Sequence, residues 1–292
     1  MNHQQVRKKN ATVSELIQSG EGILKSYNQP DAGIDARLLA MYLLECDKMY
    51  LMTNRDLEVA DHIGESYLYL IAKRTQGVPV QYIINEQEFM GLKFFVDSRV
   101  LIPRQDTETL VETIINLSKE VPIHKAVEIG VGSGCISVSL AHFIPEIEIT
   151  AIDICQRALE VAKKNIQVHE VTDRVAILES NVFEKYEGEE ESLDLIVSNP
   201  PYISVEECKQ LMKEVREFEP RHALTDGKDG LTFYKQITKE AKKYLKGNGL
   251  LAYEIGYNQG DDVKGILEQE GFRNIQVIKD LPGHDRVVIG RK

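Results

Sequence analysis

The 292-residue chain has no run of about 20 consecutive apolar residues, the length a membrane-spanning helix needs. Its first ten residues, MNHQQVRKKN, are polar and basic and lead into no apolar stretch, so they do not read as a secretory signal. Cysteine is scarce: Cys46, Cys135, Cys155 and Cys208 stand far apart and form no CxxC pair. That spacing excludes a disulfide scaffold and predicts reduced thiols in a reducing compartment, none of them catalytic. The histidines (His3, His62, His124, His142, His169, His222 and His284) form no ligand-spaced cluster, and no metal site is expected. Positive charge is not in excess either. A formal net charge of −11 argues against a broad phosphate-gripping face. No repeat or low-complexity tract is visible apart from the acidic run at 187–191, which reads as a solvated loop. These absences leave a cytoplasmic protein, expected to work as a monomer without stable binding to nucleic acid or membrane.

What is present is enough for two domains, with 42% hydrophobic and 28% charged residues. From residue 12 to 74 the apolar period is helical, opening on a capping box at Thr12 and Glu15. This predicts a small N-terminal helical bundle over residues 1–78. The period changes from Val80 onward, and EFMGLKFFVD predicts a β-hairpin around Gly91 within a linker over 79–103. From 104 to 292, short apolar strands alternate with helices. AVEIG, ITAID, VAILES, LDLIVS, LLAYEIG, NIQVIKD and RVVIG are the predicted strands. Such alternation predicts an α/β fold: a seven-stranded, mostly parallel sheet covered on both faces. The short turn LPGHD makes the last two strands an antiparallel end.

Two constellations carry chemistry. The first is VEIGVGSG, which places Gly130, Val131, Gly132, Ser133 and Gly134 directly after the first strand of that sheet. Glycine is required where a ligand presses on main chain or φ must be positive. The next strand ends in Asp153, whose carboxylate can accept both hydroxyls of a ribose. A dinucleotide fingerprint would read GxGxxG, whereas the spacing here is GxGxG, one residue shorter. That favours a nucleoside ligand of the S-adenosylmethionine kind over NAD.

The second constellation is Asn199, Pro200, Pro201 and Tyr202, at the tip of the strand LDLIVS. A Pro-Pro turn can simply stop a strand, but that needs neither the Asn nor the Tyr. An amide nitrogen is a poor nucleophile because its lone pair is delocalised. Two acceptors, the Asn199 side-chain carbonyl and the Pro200 main-chain carbonyl, could hold a planar NH₂ group with its lone pair toward a methyl donor. Tyr202 could flank the group with its ring. Catalysis of that kind is positioning in a preorganised polar site.

Taken together, the chain resembles the HemK/PrmC family of bacterial release factor glutamine methyltransferases. The resemblance runs through RTQGVPVQYIINEQEF, VLIPRQDTETLVE, VEIGVGSGCISVSLA, VSNPPYI, EPRHALTDGKDGL, YEIGYNQG and KDLPGHDRVVIGRK, in that order. It implies a Rossmann-like methyltransferase that uses S-adenosylmethionine, releases S-adenosylhomocysteine, and modifies the glutamine of the Gly-Gly-Gln motif in class I peptide chain release factors. Gly130 to Gly134 would hold the methionine part of the cofactor, Asp153 the ribose, and Asn181 and Val182 the adenine. Asn199 to Tyr202 would grip the glutamine amide, with Asn199 also beside the cofactor, and the helical domain would help seat the release factor. Departures from the family pattern fall at Asn181, at Glu128 and Ile129, and at Gln105. The competing readings are an amino-methyltransferase acting on adenine or guanine of nucleic acid, and a non-catalytic cofactor-binding scaffold. The first would want a basic groove; the second has no use for two amide acceptors.

Overall fold

The computed structural model describes residues 10–292; His3 and most of the basic start lie outside the described residues. Two compact units result. One holds the described residues up to Asn85 together with Lys213–Phe218, the other Glu86–Met212 and Glu219–Lys292.

The first unit is helical: α1 (Val13–Ser26), α2 (Ala32–Leu44), α3 (Lys48–Thr53), α4 (Asp61–Thr75) and α5 (Val80–Ile84). Thr12 Oγ1 accepts from Glu15 N at 3.2 Å while Glu15 Oε2 accepts from Thr12 N at 2.8 Å. This reciprocal cap satisfies two amides that the first turn of α1 leaves open. Leu16, Leu24, Leu39, Tyr67 and Ile71 share one apolar core. Tyr67 lies against α1 so closely that a Cβ on Gly20 would stand 2.2 Å from its hydroxyl oxygen. A helix from much later in the chain, α10 (Lys213–Phe218), completes this unit. Arg74, only 3% exposed, pairs with Asp35 at 2.6 Å and with Glu214 of α10 at 2.8 Å. The change of period read at Val80 does not start a strand there. Pro79 precedes a single helical turn, Val80 and Ile83 enter the helical core, and Asn85 ends the turn in the left-handed conformation at φ 56°.

The hairpin follows as β1 (Glu86–Phe89) and β2 (Leu92–Phe95), turned by Met90 and Gly91, both at positive φ. It packs into the second unit instead of standing as a separate link. Phe89 and Phe94 enter that unit's core, and the Asn165 amide brackets Phe95, accepting from its N at 2.8 Å and donating to its O at 2.9 Å.

Next come α6 (Gln105–Glu120), β3 (Lys125–Ile129), α7 (Cys135–Phe143), β4 (Glu148–Asp153), α8 (Gln156–Val168), β5 (Val175–Glu179) and β6 (Leu193–Ser198). After β6 the chain forms α9 (Val205–Cys208) and α10, then α11 (Thr232–Tyr244), β7 (Leu245–Glu254), α12 (Gly260–Gln269), β8 (Arg273–Lys279) and β9 (Asp285–Arg291). The sheet has seven strands in the order β5-β4-β3-β6-β7-β9-β8. β5 to β7 are parallel, while β9 runs antiparallel to both β7 and β8. Strand residues alternate between two cores: Leu250 and Ala252 face the one shared with α6 and α7, Leu251 and Tyr253 the one shared with α11 and α12. The order reverses between β3 and β6, and such a switch point opens a crevice at the carboxyl ends of the strands.

Candidate active site

That crevice is a cavity of about 350 Å³ in the second unit, within the size range of small-molecule sites. Gly130, Val131, Gly132, Ser133, Asp153, Asn181, Val182, Asn199, Pro200 and Pro201 all line it. Gly134 and Tyr202 are not in its wall, and the geometry gives each another task.

The glycine turn is braced from the neighbouring strand. Gly130 N and Val131 N donate to Ile152 O at 2.8 and 3.0 Å. Gly134, at φ 82°, opens α7 where a Cβ would meet Ala162 of α8 at 3.4 Å. Its need is the positive φ at which the helix begins. Asp153 Oδ2 accepts from Gly132 N at 3.0 Å and Oδ1 from Cys155 N at 2.9 Å. Val182 is buried at φ 49°, a left-handed conformation that a β-branched residue rarely adopts. Strain of that kind concentrates at functional sites and costs on the order of 1–3 kcal/mol. Asn181 donates to Glu184 Oε1 at 2.6 Å.

The Asn-Pro-Pro-Tyr turn is held from three sides. Ser198 Oγ donates to Ile129 O at 2.7 Å, tying the tip of β6 to that of β3. Asn199 Nδ2 donates to Glu254 Oε2 at 2.9 Å and to Thr107 Oγ1 at 3.3 Å. Tyr202 Oη donates to the other oxygen of Glu254 at 3.0 Å, and Gln259 Nε2 donates to Tyr202 O at 3.1 Å. Gly230, at φ 81°, lets the loop over 226–231 pass this turn: a Cβ there would lie 2.1 Å from Tyr202 O. Asp226 shapes the loop by accepting from Lys228 N, Gly230 N and Thr232 N. Burial raises the Tyr202 hydroxyl well above its ordinary value, so the ring stays a neutral donor.

Sequence reasoning missed several groups. Glu128, 1% exposed, lines the cavity and accepts from Ser137 N at 2.9 Å and from the Ser137 hydroxyl. Burial pushes its carboxyl up to about 8 against those hydrogen bonds. Glu254, also 1% exposed, is raised by burial while Thr107, Tyr202 and Arg286 pull the other way. Two acidic residues inside apolar strands were the available signal. Arg99 and Arg104 also line the cavity, but Arg99 is paired with Asp97 and Glu160 and Arg104 with Glu219. Neither arginine is left for a pyrophosphate. A carboxylate at the end of β4, a main-chain cradle after β3 and the apolar walls of Val182, Phe233 and Ile237 suit a nucleoside with a zwitterionic tail.

Comparison with known proteins agrees with this architecture. The PrmC N-terminal domain model matches residues 15–84, and the Methyltransferase small domain model matches residues 105–228. A release factor glutamine methyltransferase of Clostridium acetobutylicum is 39% identical over 277 residues, which is 95% of this chain and 97% of that protein. Another of the same name, from Fusobacterium nucleatum subsp. nucleatum, is 42% identical over 272 residues, covering 92% and 76% respectively. Among solved structures, a methyltransferase from Pyrococcus furiosus superposes with a TM-score of 0.51 at 18% identity over 80% of this chain and 99% of that one. At that identity the likeness concerns the fold alone. Likeness over more than nine-tenths of this chain to the two bacterial enzymes makes it a methyltransferase and a member of the release factor glutamine methyltransferase family.

Proposed function

We propose that the enzyme transfers the methyl group of S-adenosylmethionine to the side-chain amide nitrogen of the glutamine in the Gly-Gly-Gln motif of class I peptide chain release factors. The observation that carries this reading is the presence of the glycine turn and of Asn199-Pro200-Pro201 in the wall of one cavity. When bound, the cofactor supplies a methyl group on a sulfonium and leaves as neutral S-adenosylhomocysteine. Asp153 would hold the ribose hydroxyls and the turn over 130–133 the methionine part, with Asn181 and Val182 beside the adenine. Asn199 Oδ1 and the Pro200 carbonyl would each accept one N–H of the glutamine amide, so that its lone pair faces the methyl. Formation of the C–N bond would accompany breakage of the sulfonium C–S bond, and the nitrogen would release one of its two protons to solvent. Tyr202 supports the turn through its hydroxyl on Glu254. The ion-paired state of both lining arginines fits a cationic cofactor better than a pyrophosphate. The helical unit, matched by the PrmC N-terminal domain, would seat the protein substrate.

The experiment is transfer of labelled methyl to a purified release factor, beside the same factor with Gln→Ala in its Gly-Gly-Gln motif. Label on the first alone is expected. If neither is labelled while the cofactor still binds, the substrate assignment is wrong, and adenine or guanine in nucleic acid becomes the substrate to test.

A further inference from the structure

An asparagine side chain is nearly symmetric in shape but not in chemistry. A half-turn about its last bond exchanges an acceptor for two donors. Which end faces a ligand is therefore decided by the partners on the other side. For Asn199 those partners are Glu254 Oε2 at 2.9 Å and Thr107 Oγ1 at 3.3 Å from Nδ2. An ionised carboxylate accepts and never donates, so it draws Nδ2 and leaves Oδ1 for the cavity. Glu254 is itself fixed: it is the last residue of β7, it is buried, and its second oxygen is taken by Tyr202.

We propose that Glu254 is a positioning residue that sets the polarity of Asn199, so that an acceptor and not a donor meets the amide NH₂ of the substrate. The inference rests on the glutamine-amide reading of the site. With Asn199 reversed, N–H would face N–H, and the amide would lose one of its two holds. Burying a carboxylate to orient a neutral neighbour is costly, and burial raises Glu254 above its ordinary value. Hydrogen bonds from Thr107 and Tyr202 and the field of Arg286, itself paired with Asp280 and Asp106 at 3.1 Å, work for the ionised form.

The test compares wild type, Glu254→Ala, Glu254→Gln and the double variant Asn199→Asp with Glu254→Gln. Methyl transfer to the release factor and S-adenosylmethionine affinity are measured for each. Glu254→Ala should lose about 100-fold or more in kcat, the loss typical when a preorganised polar contact is removed, with cofactor affinity within a few-fold. Glu254→Gln can hold Asn199 either way round and should fall between. The double variant has no polarity left to set: one oxygen of the introduced carboxylate accepts from the introduced amide, and the other faces the substrate. It should recover about tenfold over Glu254→Ala, a rescue that loss of packing alone cannot produce. A fully active Glu254→Ala would overturn the inference, as would a double variant no better than Glu254→Ala although both bind the cofactor. Should Glu254→Ala fail to fold, the isosteric Glu254→Gln against the double variant decides in the same way. Unlabelled wild-type reactions would overturn the substrate reading and this inference with it; a labelled wild type with unaffected variants would overturn the inference alone.

Discussion

Asp153 Oδ2 accepts from Gly132 N at 3.0 Å, so the carboxylate assigned to the ribose also braces the turn assigned to the methionine part. The two halves of the proposed cofactor site thus share one side chain. Asp153→Ala is expected to weaken S-adenosylmethionine binding by about 100-fold, the ribose contact and the brace of the turn being lost together. Asp153→Asn, which keeps one acceptor, should fall between. Calorimetric titration checks both, and wild-type affinity in Asp153→Ala would move the ribose contact elsewhere.

Gly230 tests the support of the Asn199–Tyr202 turn from the other side. Alanine there must displace the Tyr202 carbonyl, 2.1 Å from its Cβ, and hold φ near 81°. The conformation alone costs on the order of 1–3 kcal/mol. Turnover of Gly230→Ala should drop about tenfold or more while cofactor affinity holds, since the cost falls on the Asn199–Tyr202 turn. Steady-state kinetics beside the same titration would show it, and an equal loss in both would mean the whole cavity is disturbed.

Glu128 gives a signed pH dependence. Its ordinary value is 4.5 and burial raises it to about 8 in the folded chain. Between these the folded protein keeps a proton that the unfolded chain releases. The stability it contributes is fully present below pH 4.5 and is lost as pH rises through 8, at up to about 1.4 kcal/mol per pH unit. Glu128→Gln cannot titrate. Denaturant unfolding of the ligand-free proteins from about pH 5.5 to 8.5 should show wild-type stability falling relative to the variant; a constant difference would mean the carboxyl is ionised throughout.

Much of the molecule was legible in its residues for physical reasons. Strands buried on both faces read as apolar runs, and the turn residues Gly130 to Gly134 and Asn199 to Tyr202 announce themselves because few backbones can follow those paths. Asp153 stood out as a charge at a strand end. What stayed hidden depends on distance in space. Glu254 comes 55 residues after Asn199, and nothing local in YEIGYNQG says which asparagine it will meet. The helical turn over Val80 to Ile84 was not seen because five residues are too few to display a helical period. Val182 carries its positive φ without a glycine to signal it.

Arg74 offers a test of the helical unit on its own. Removing its guanidinium by Arg74→Ala strands the Asp35 carboxylate, which is 5% exposed, and should destabilise the full chain by about 3–5 kcal/mol. Replacing both with leucine should restore most of that. Thermal unfolding would record it, and a mild Arg74→Ala would mean that water reaches Asp35.

The place of α10 bears on how the protein is made. The helical unit is written first but closed late: Phe218 lies 3.3 Å from where a Cβ on Gly77 would be, and Glu214 completes the pairing of Arg74. As the chain leaves the ribosome, its leading helices must wait for a segment that emerges only after β6 and the Asn199–Tyr202 turn. The unit is not a cassette that can be cut away at residue 85 and expected to stand unchanged, nor can it be completed before much of the sheet has been synthesised.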